Sequence, residues 1–246
     1  MTVWQDNFDD NYLDPNKWEK VKWWNYTPLR CEVYERNRRL EIDVEAEGLT
    51  LVCAGVVSRD RYDLTKGKVS AYCLHTLESG QEIGLVISPH KTTTSNPLRH
   101  LPDFYAVILQ APAWEFQVLR RIGGGDVEIF YRKYWDSNSN KLRMDIEAGF
   151  IRFYEGDNLR AYDAYRLPSY ECYIYICRYG TAGCCGDIGW ADDFYCEYVG
   201  TTEEKVEAVT KIVQQQIAEA IRTYWVPLSV IGIVLAIVFA IIMGLI

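Results

Sequence analysis

The chain has 246 residues and a formal net charge of −8. That balance excludes nucleic acid as a partner, because phosphate binding needs a basic face, and the short runs Arg36-Asn37-Arg38-Arg39 and Arg120-Arg121 read as solvated strand ends. Eight cysteines, five of them packed into 172–196 and none spaced C-x-x-C, point to disulfides rather than zinc.

In chain order, the opening Met1-Thr-Val-Trp-Gln-Asp carries neither a basic cluster nor an apolar run, so no secretory signal is expected there. At 39–45, Leu40, Ile42 and Val44 alternate with Glu41, Asp43 and Glu45, the pattern of a half-buried strand. Similar runs occupy 68–75, 82–88, 104–110, 116–120, 127–134, 141–146, 151–154, 170–177 and 194–199. Turn signals separate them at Thr65-Lys66-Gly67, Gly123-Gly124-Gly125, Ser137-Asn138-Ser139-Asn140 and Glu155-Gly156-Asp157-Asn158. Many short strands with regular turns predict an all-β jelly-roll sandwich over 1–200.

At Thr201 the period changes. Thr201 and Glu204 form a capping box, and Val206, Val209, Val213, Ile217 and Tyr224 make an apolar stripe, which predicts an amphipathic linker helix over 201–225. Residues 226–246 hold no charge. As a helix they would span about 31 Å, one bilayer core, so they are expected to form a C-terminal transmembrane anchor with Tyr224 and Trp225 at the interface. Gly232, Ala236, Ala240 and Gly244 fall every fourth residue and would let copies pack closely. The expected partners are a lipid bilayer and further copies of the chain, in a tail-anchored, single-pass arrangement at a cell surface or in a virion membrane.

Several segments carry a resemblance. Phe8-Asp-Asp-Asn-Tyr-Leu-Asp-Pro-Asn-Lys-Trp18, Arg39-Leu-Glu-Ile-Asp-Val, Tyr62-Asp-Leu-Thr-Lys-Gly67, Ile151-Arg-Phe-Tyr-Glu-Gly-Asp and Asp193-Phe-Tyr-Cys-Glu-Tyr stand in one order across residues 5–199. In that order they resemble the concanavalin A-like lectin/glucanase superfamily, especially the laminarinase and lichenase type of glycoside hydrolase. Glu41-Ile-Asp43-Val-Glu45 matches the family's E-I-D-x-E signature, in which the first Glu is the nucleophile and the last the acid/base of a retaining mechanism. Here it precedes the Tyr62 turn, whereas in the family it follows. The run that fits the catalytic place, 103–109, offers Tyr105, Val107 and Leu109 instead of acids. The resemblance further implies a Cys31–Cys53 disulfide and a structural calcium ion on Asp193. Trp24 and Tyr26 are the candidates for stacking on a sugar ring.

These residues lead to a non-catalytic, membrane-anchored structural or surface protein. It would need no cofactor and would display a lectin-like sandwich able to bind glycans or partner subunits; a coat or spike of a thermophilic archaeal virus is the best-fitting setting. The alternatives are a membrane-tethered retaining β-glucan hydrolase that uses Glu41 and Glu45, and a cellular glycan-binding adhesin.

Overall fold

The computed structural model describes residues 1–45, 50–74, 81–111, 114–135, 139–180, 188–199 and 214. The expected linker helix and anchor, with Gly232, Ala236, Ala240, Gly244, Tyr224 and Trp225, lie outside the described residues. Among the described residues no helix is long and apolar enough to cross a membrane.

The strands follow the chain in short steps. β1 (Thr2–Asp6), β2 (Trp18–Trp24), β3 (Arg30–Arg36) and β4 (Arg39–Glu45) open it. Next come β5 (Val52–Ser58), β6 (Tyr62–Asp63), β7 (Lys68–Leu74) and β8 (Gln81–Ser88). After the one-turn helix α1 (Pro97–His100) stand β9 (Phe104–Ala111), β10 (Glu115–Arg121), β11 (Glu128–Tyr134) and β12 (Lys141–Glu147). β13 (Phe150–Glu155), β14 (Asn158–Ala164), β15 (Glu171–Gly180) and β16 (Ile188–Tyr198) complete the series.

They form two antiparallel sheets. The first runs β14-β13-β12-β7-β16-β4-β3 with β1 on β16, and the second runs β11-β10-β9-β8-β15-β5-β2 with β6 on β15. Alternation explains most strands. β12 buries Leu142, Met144 and Ile146 and leaves Lys141, Arg143 and Asp145 half-buried on its other face. Strands β5 and β14 escape that pattern for opposite reasons. β5 is buried at every position, so it reads as a continuous apolar run; β14 is a mostly polar edge strand with no buried residue. The inner faces of both sheets make the main core, which includes Leu40, Ile42, Val69, Leu85, Val107, Phe153 and Ile176.

A second apolar cluster lies on the outer face of the second sheet: Val21, Cys53, Val57, Val86, Phe104, Ala106, Ile108, Leu119, Tyr175 and Cys177. Leu98 of α1 and Leu101 cover it. No helical period announces α1; local chemistry makes it. Pro97 sits in its first turn, and the Oδ1 of Asn96 accepts from the Leu98 N–H at 2.9 Å. Two further bonds tie the segment between β8 and β9 down. The Tyr175 hydroxyl accepts from the Thr92 N–H at 2.9 Å, and the Lys22 N–H donates to the Thr93 carbonyl at 3.0 Å.

Candidate active site

A row of polar side chains crosses the outer face of the second sheet. Direct cross-strand partners point to the same side of a sheet. The register therefore sets Tyr134, Glu115, Gln110, Glu82, Tyr179, Cys53 and Trp23 in one row across β11, β10, β9, β8, β15, β5 and β2. The middle of this row is polar and linked. Gln110 Nε2 donates to Glu82 Oε1 at 3.4 Å, and Gln117 Nε2 donates both to Gln110 Oε1 and to Glu115 Oε2, the latter at 2.6 Å. Arg132 pairs with Glu115 at 3.2 Å.

Glu82 opens into a pocket of about 560 Å³ whose wall includes Asn96, Arg99, His100, Arg121 and Tyr179. Burial pushes its carboxyl up to about 7, against the pull of Arg99, which lowers it. At neutral pH about half the molecules then keep the proton, the state a general acid needs. The second carboxylate of the row, Glu115, stands two strands away. At a strand spacing of about 4.8 Å, the two Cα positions are about 9.6 Å apart.

The sequence signature lies elsewhere. Glu41, Asp43 and Glu45 are on the outer face of the other sheet, beside Trp190 and Tyr34. Glu41 is 1% exposed and bound by Arg36, by Asn37 at 2.9 Å and by Arg39 at 3.0 Å. Burial acts to raise its pKa, but the bonds from Asn37, Arg36 and Arg39 outweigh it, and the net shift is downward. Asp43 and Glu45 are both taken by Arg30, at 3.4 and 2.7 Å. These acids are thus not a solvated face, and their charges are already spent on arginines.

The phase expected for β9 is reversed. Tyr105, Val107 and Leu109 face the core, and the Tyr105 hydroxyl reaches Asp163 Oδ2 and the Ala164 carbonyl at 3.0 and 2.9 Å. Phe104, Ala106, Ile108 and Gln110 take the outer face, so β9 still brings no acid to the groove. Glu82 went unnoticed because it is a lone acid at the start of an apolar run. Its signal is positional: it is the acid that register sets opposite Gln110 on the strand beside β9.

The remaining candidates separate. Cys31 and Cys53 are both free thiols, and no disulfide joins them. Cys31 points into the core, where its thiol lies 3.8 Å from the Cys53 carbonyl, whereas the Cys53 side chain leaves β5 on the opposite face. The other described cysteines, Cys73, Cys172, Cys177 and Cys196, are also free. Trp24 and Tyr26 are exposed, at 43% and 63%, but Trp24 sits at the inner-face end of edge strand β2; its neighbour Trp23 joins the row. Asp193 has a left-handed backbone (φ 46°) at an irregularity of β16, in a pocket it shares with Lys68, Lys141 and Arg143. Among the described residues no three His, Cys, Asp or Glu side chains converge on a common point.

No family model matches this chain, and no curated protein matches it. Solved structures do. The β-glucanase of Bacillus licheniformis is 13% identical over 81% of this chain and 99% of its own, with a TM-score of 0.56. The catalytic domain of an endo-1,3-β-glucanase (laminarinase) from Thermotoga petrophila RKU-1 is 10% identical over 81% and 98%, at 0.57. The laminarinase from Rhodothermus marinus is 14% identical over 80% and 97%, at 0.57. These likenesses correct the expectation of a non-catalytic coat or spike protein, since the sandwich is built as in glucan-cleaving enzymes and holds a proton-retaining carboxyl in a pocket on its outer face. The two-sheet architecture and a structural match over 81% of the chain agree: the chain carries the concanavalin A-like sandwich of the lichenase and laminarinase type.

Proposed function

We propose that this protein is a glycoside hydrolase that cleaves a β-linked glycan lying across the outer face of the second sheet. Glu82 carries this reading. It is a pocket carboxyl whose pKa is raised to about 7, one strand from the place the family uses for its acids. Protonated Glu82 gives its proton to the glycosidic oxygen. Glu115, held by Gln117 and Arg132, takes a proton from the water that attacks the anomeric carbon from the other side. One strand, β9, separates the two, and the water of an inverting mechanism would stand between their carboxyl groups. The uncharged stretch 226–246 supports a setting at a membrane, where the anchor would tether the enzyme to its substrate.

The test is a panel of neutral and uronate-bearing β-glycans, followed by reducing-end release and by NMR of the first-formed anomer. Hydrolysis with inversion is expected, reduced on the order of 100-fold or more by Glu82→Gln. If the wild type cleaves no β-glycan, or if Glu82→Gln cleaves as fast, the reading fails. Retention would remove Glu115 from its role.

A further inference from the structure

The pocket beside Glu82 is rich in hydrogen-bond donors that the protein itself leaves unused. Asn96 is fully buried, yet its Nδ2 has no partner among the described residues. Its Oδ1 is committed to the Leu98 N–H, which fixes the amide so that Nδ2 is the free end. Arg121 Nε is also buried without a partner, although its Nη1 donates to the Arg99 carbonyl at 2.6 Å and to the Leu101 carbonyl at 3.3 Å. Those two bonds anchor the guanidinium under α1. Arg99 lies over the Tyr179 ring at 5.2 Å. Neither Arg99 nor Arg121 forms an ion pair with a described residue, and all four side chains line the same pocket.

A buried donor left without an acceptor has lost its bonds to water with nothing in exchange, so proteins seldom keep two in one cavity without use. Arg99, exposed on the same wall, adds a second guanidinium. One kind of guest suits the unused donors and both charges, a group that is negative and offers several acceptor oxygens to planar forks. A neutral sugar hydroxyl would satisfy an amide but would leave both charges unmatched. The lone acid of the wall, Glu82, does not neutralise them while it keeps its proton.

We infer that this pocket recognises an anionic substituent on the sugar, a uronate carboxylate or a sulfate ester, through Asn96, Arg99 and Arg121, so that the substrate is an acidic β-glycan. The inference rests on the hydrolase reading for its substrate but not for its pocket, and binding tests it without turnover. Calorimetry on the full chain would compare a β-linked oligosaccharide bearing one glucuronate, the same oligosaccharide reduced to glucose, and an O-sulfated form.

The acidic forms are expected to bind at least about tenfold more tightly than the neutral one, with carboxylate against sulfate telling which anion is the natural one. Arg99→Met should erase most of that preference, and Arg99→Lys should restore part of it. Arg99 is exposed, so its replacement leaves the core intact. Equal affinity for acidic and neutral sugars overturns the inference even if hydrolysis is observed. Acid-selective binding without cleavage of any β-glycan keeps the pocket and overturns the hydrolase.

Discussion

Replacing Glu82 by Gln is the most direct probe of the site, because it predicts a stability change of unusual sign. The folded carboxyl is raised from its ordinary 4.5 to about 7. The fold therefore binds this proton more tightly than the unfolded chain does. Its contribution to stability is complete below about pH 4.5 and is lost as pH rises through 7. Two and a half pH units at about 1.4 kcal/mol each give about 3 kcal/mol lost by the wild type above pH 8. Gln keeps the shape and, through its own carbonyl oxygen, the bond from Gln110, but it never ionises. Wild type and variant should thus unfold together in urea near pH 4. By pH 8.5 the variant should be more stable by about 3 kcal/mol, a figure in which the attraction to Arg99 is already included. Glu35 is also raised to about 7, by burial first and then by Asp10, but it is common to both proteins and cancels in the difference. Tryptophan fluorescence follows the transition. A gap that is the same at both pH values, or a wild type that is the more stable at pH 8.5, would refute the claim that Glu82 is held protonated by burial.

Other outcomes follow from the same geometry. Glu41→Gln should leave catalysis unchanged but cost about 2–4 kcal/mol in urea unfolding, because it strips a buried partner from Arg36 and Arg39; lost activity with unchanged stability would restore the signature motif to the active site. Gly84→Ala should destabilise by about 1–3 kcal/mol, since the new Cβ meets the Val107 carbonyl oxygen and comes within 2.8 Å of Ile108 Cα in the middle of the second sheet. Thiol labelling of the unfolded, unreduced protein should find Cys31 and Cys53 both reactive, and reductant should leave the melting temperature where it is; a mass of two fewer protons on the peptide pair would reverse this.

Much of the fold is written in local alternation. Leu40, Ile42 and Val44 in β4, and Leu142, Met144 and Ile146 in β12, declare both strand and buried face without reference to any other residue. The triple glycine at 123–125 likewise announces a hairpin tip, and the structure gives Gly123 and Gly124 the left-handed backbone that a side chain disfavours (φ 62° and 71°). Where both faces are buried, as in β5 and β9, alternation carries no phase. Tyr105 and Phe104 are equally apolar in the sequence, and only the two-sheet arrangement decides which one meets the core.

The site shows the same division more sharply. By itself the sequence determined the sandwich and its ordered likeness to the glucanase type, because these depend on composition and on neighbours along the chain. It also offered Glu41-Ile-Asp-Val-Glu45 as a signature, a match of letters that tertiary structure dissolved by setting those acids against Arg30, Arg36 and Arg39 on the wrong sheet. Only the fold brought Glu82, Asn96, Arg99 and Arg121 to one pocket, from β8, the α1 segment and β10, across up to 39 positions of sequence. The physical reason is that a carboxyl's proton affinity and a donor's lack of a partner are set by surroundings, and in an antiparallel sheet those surroundings come from strands distant in the chain.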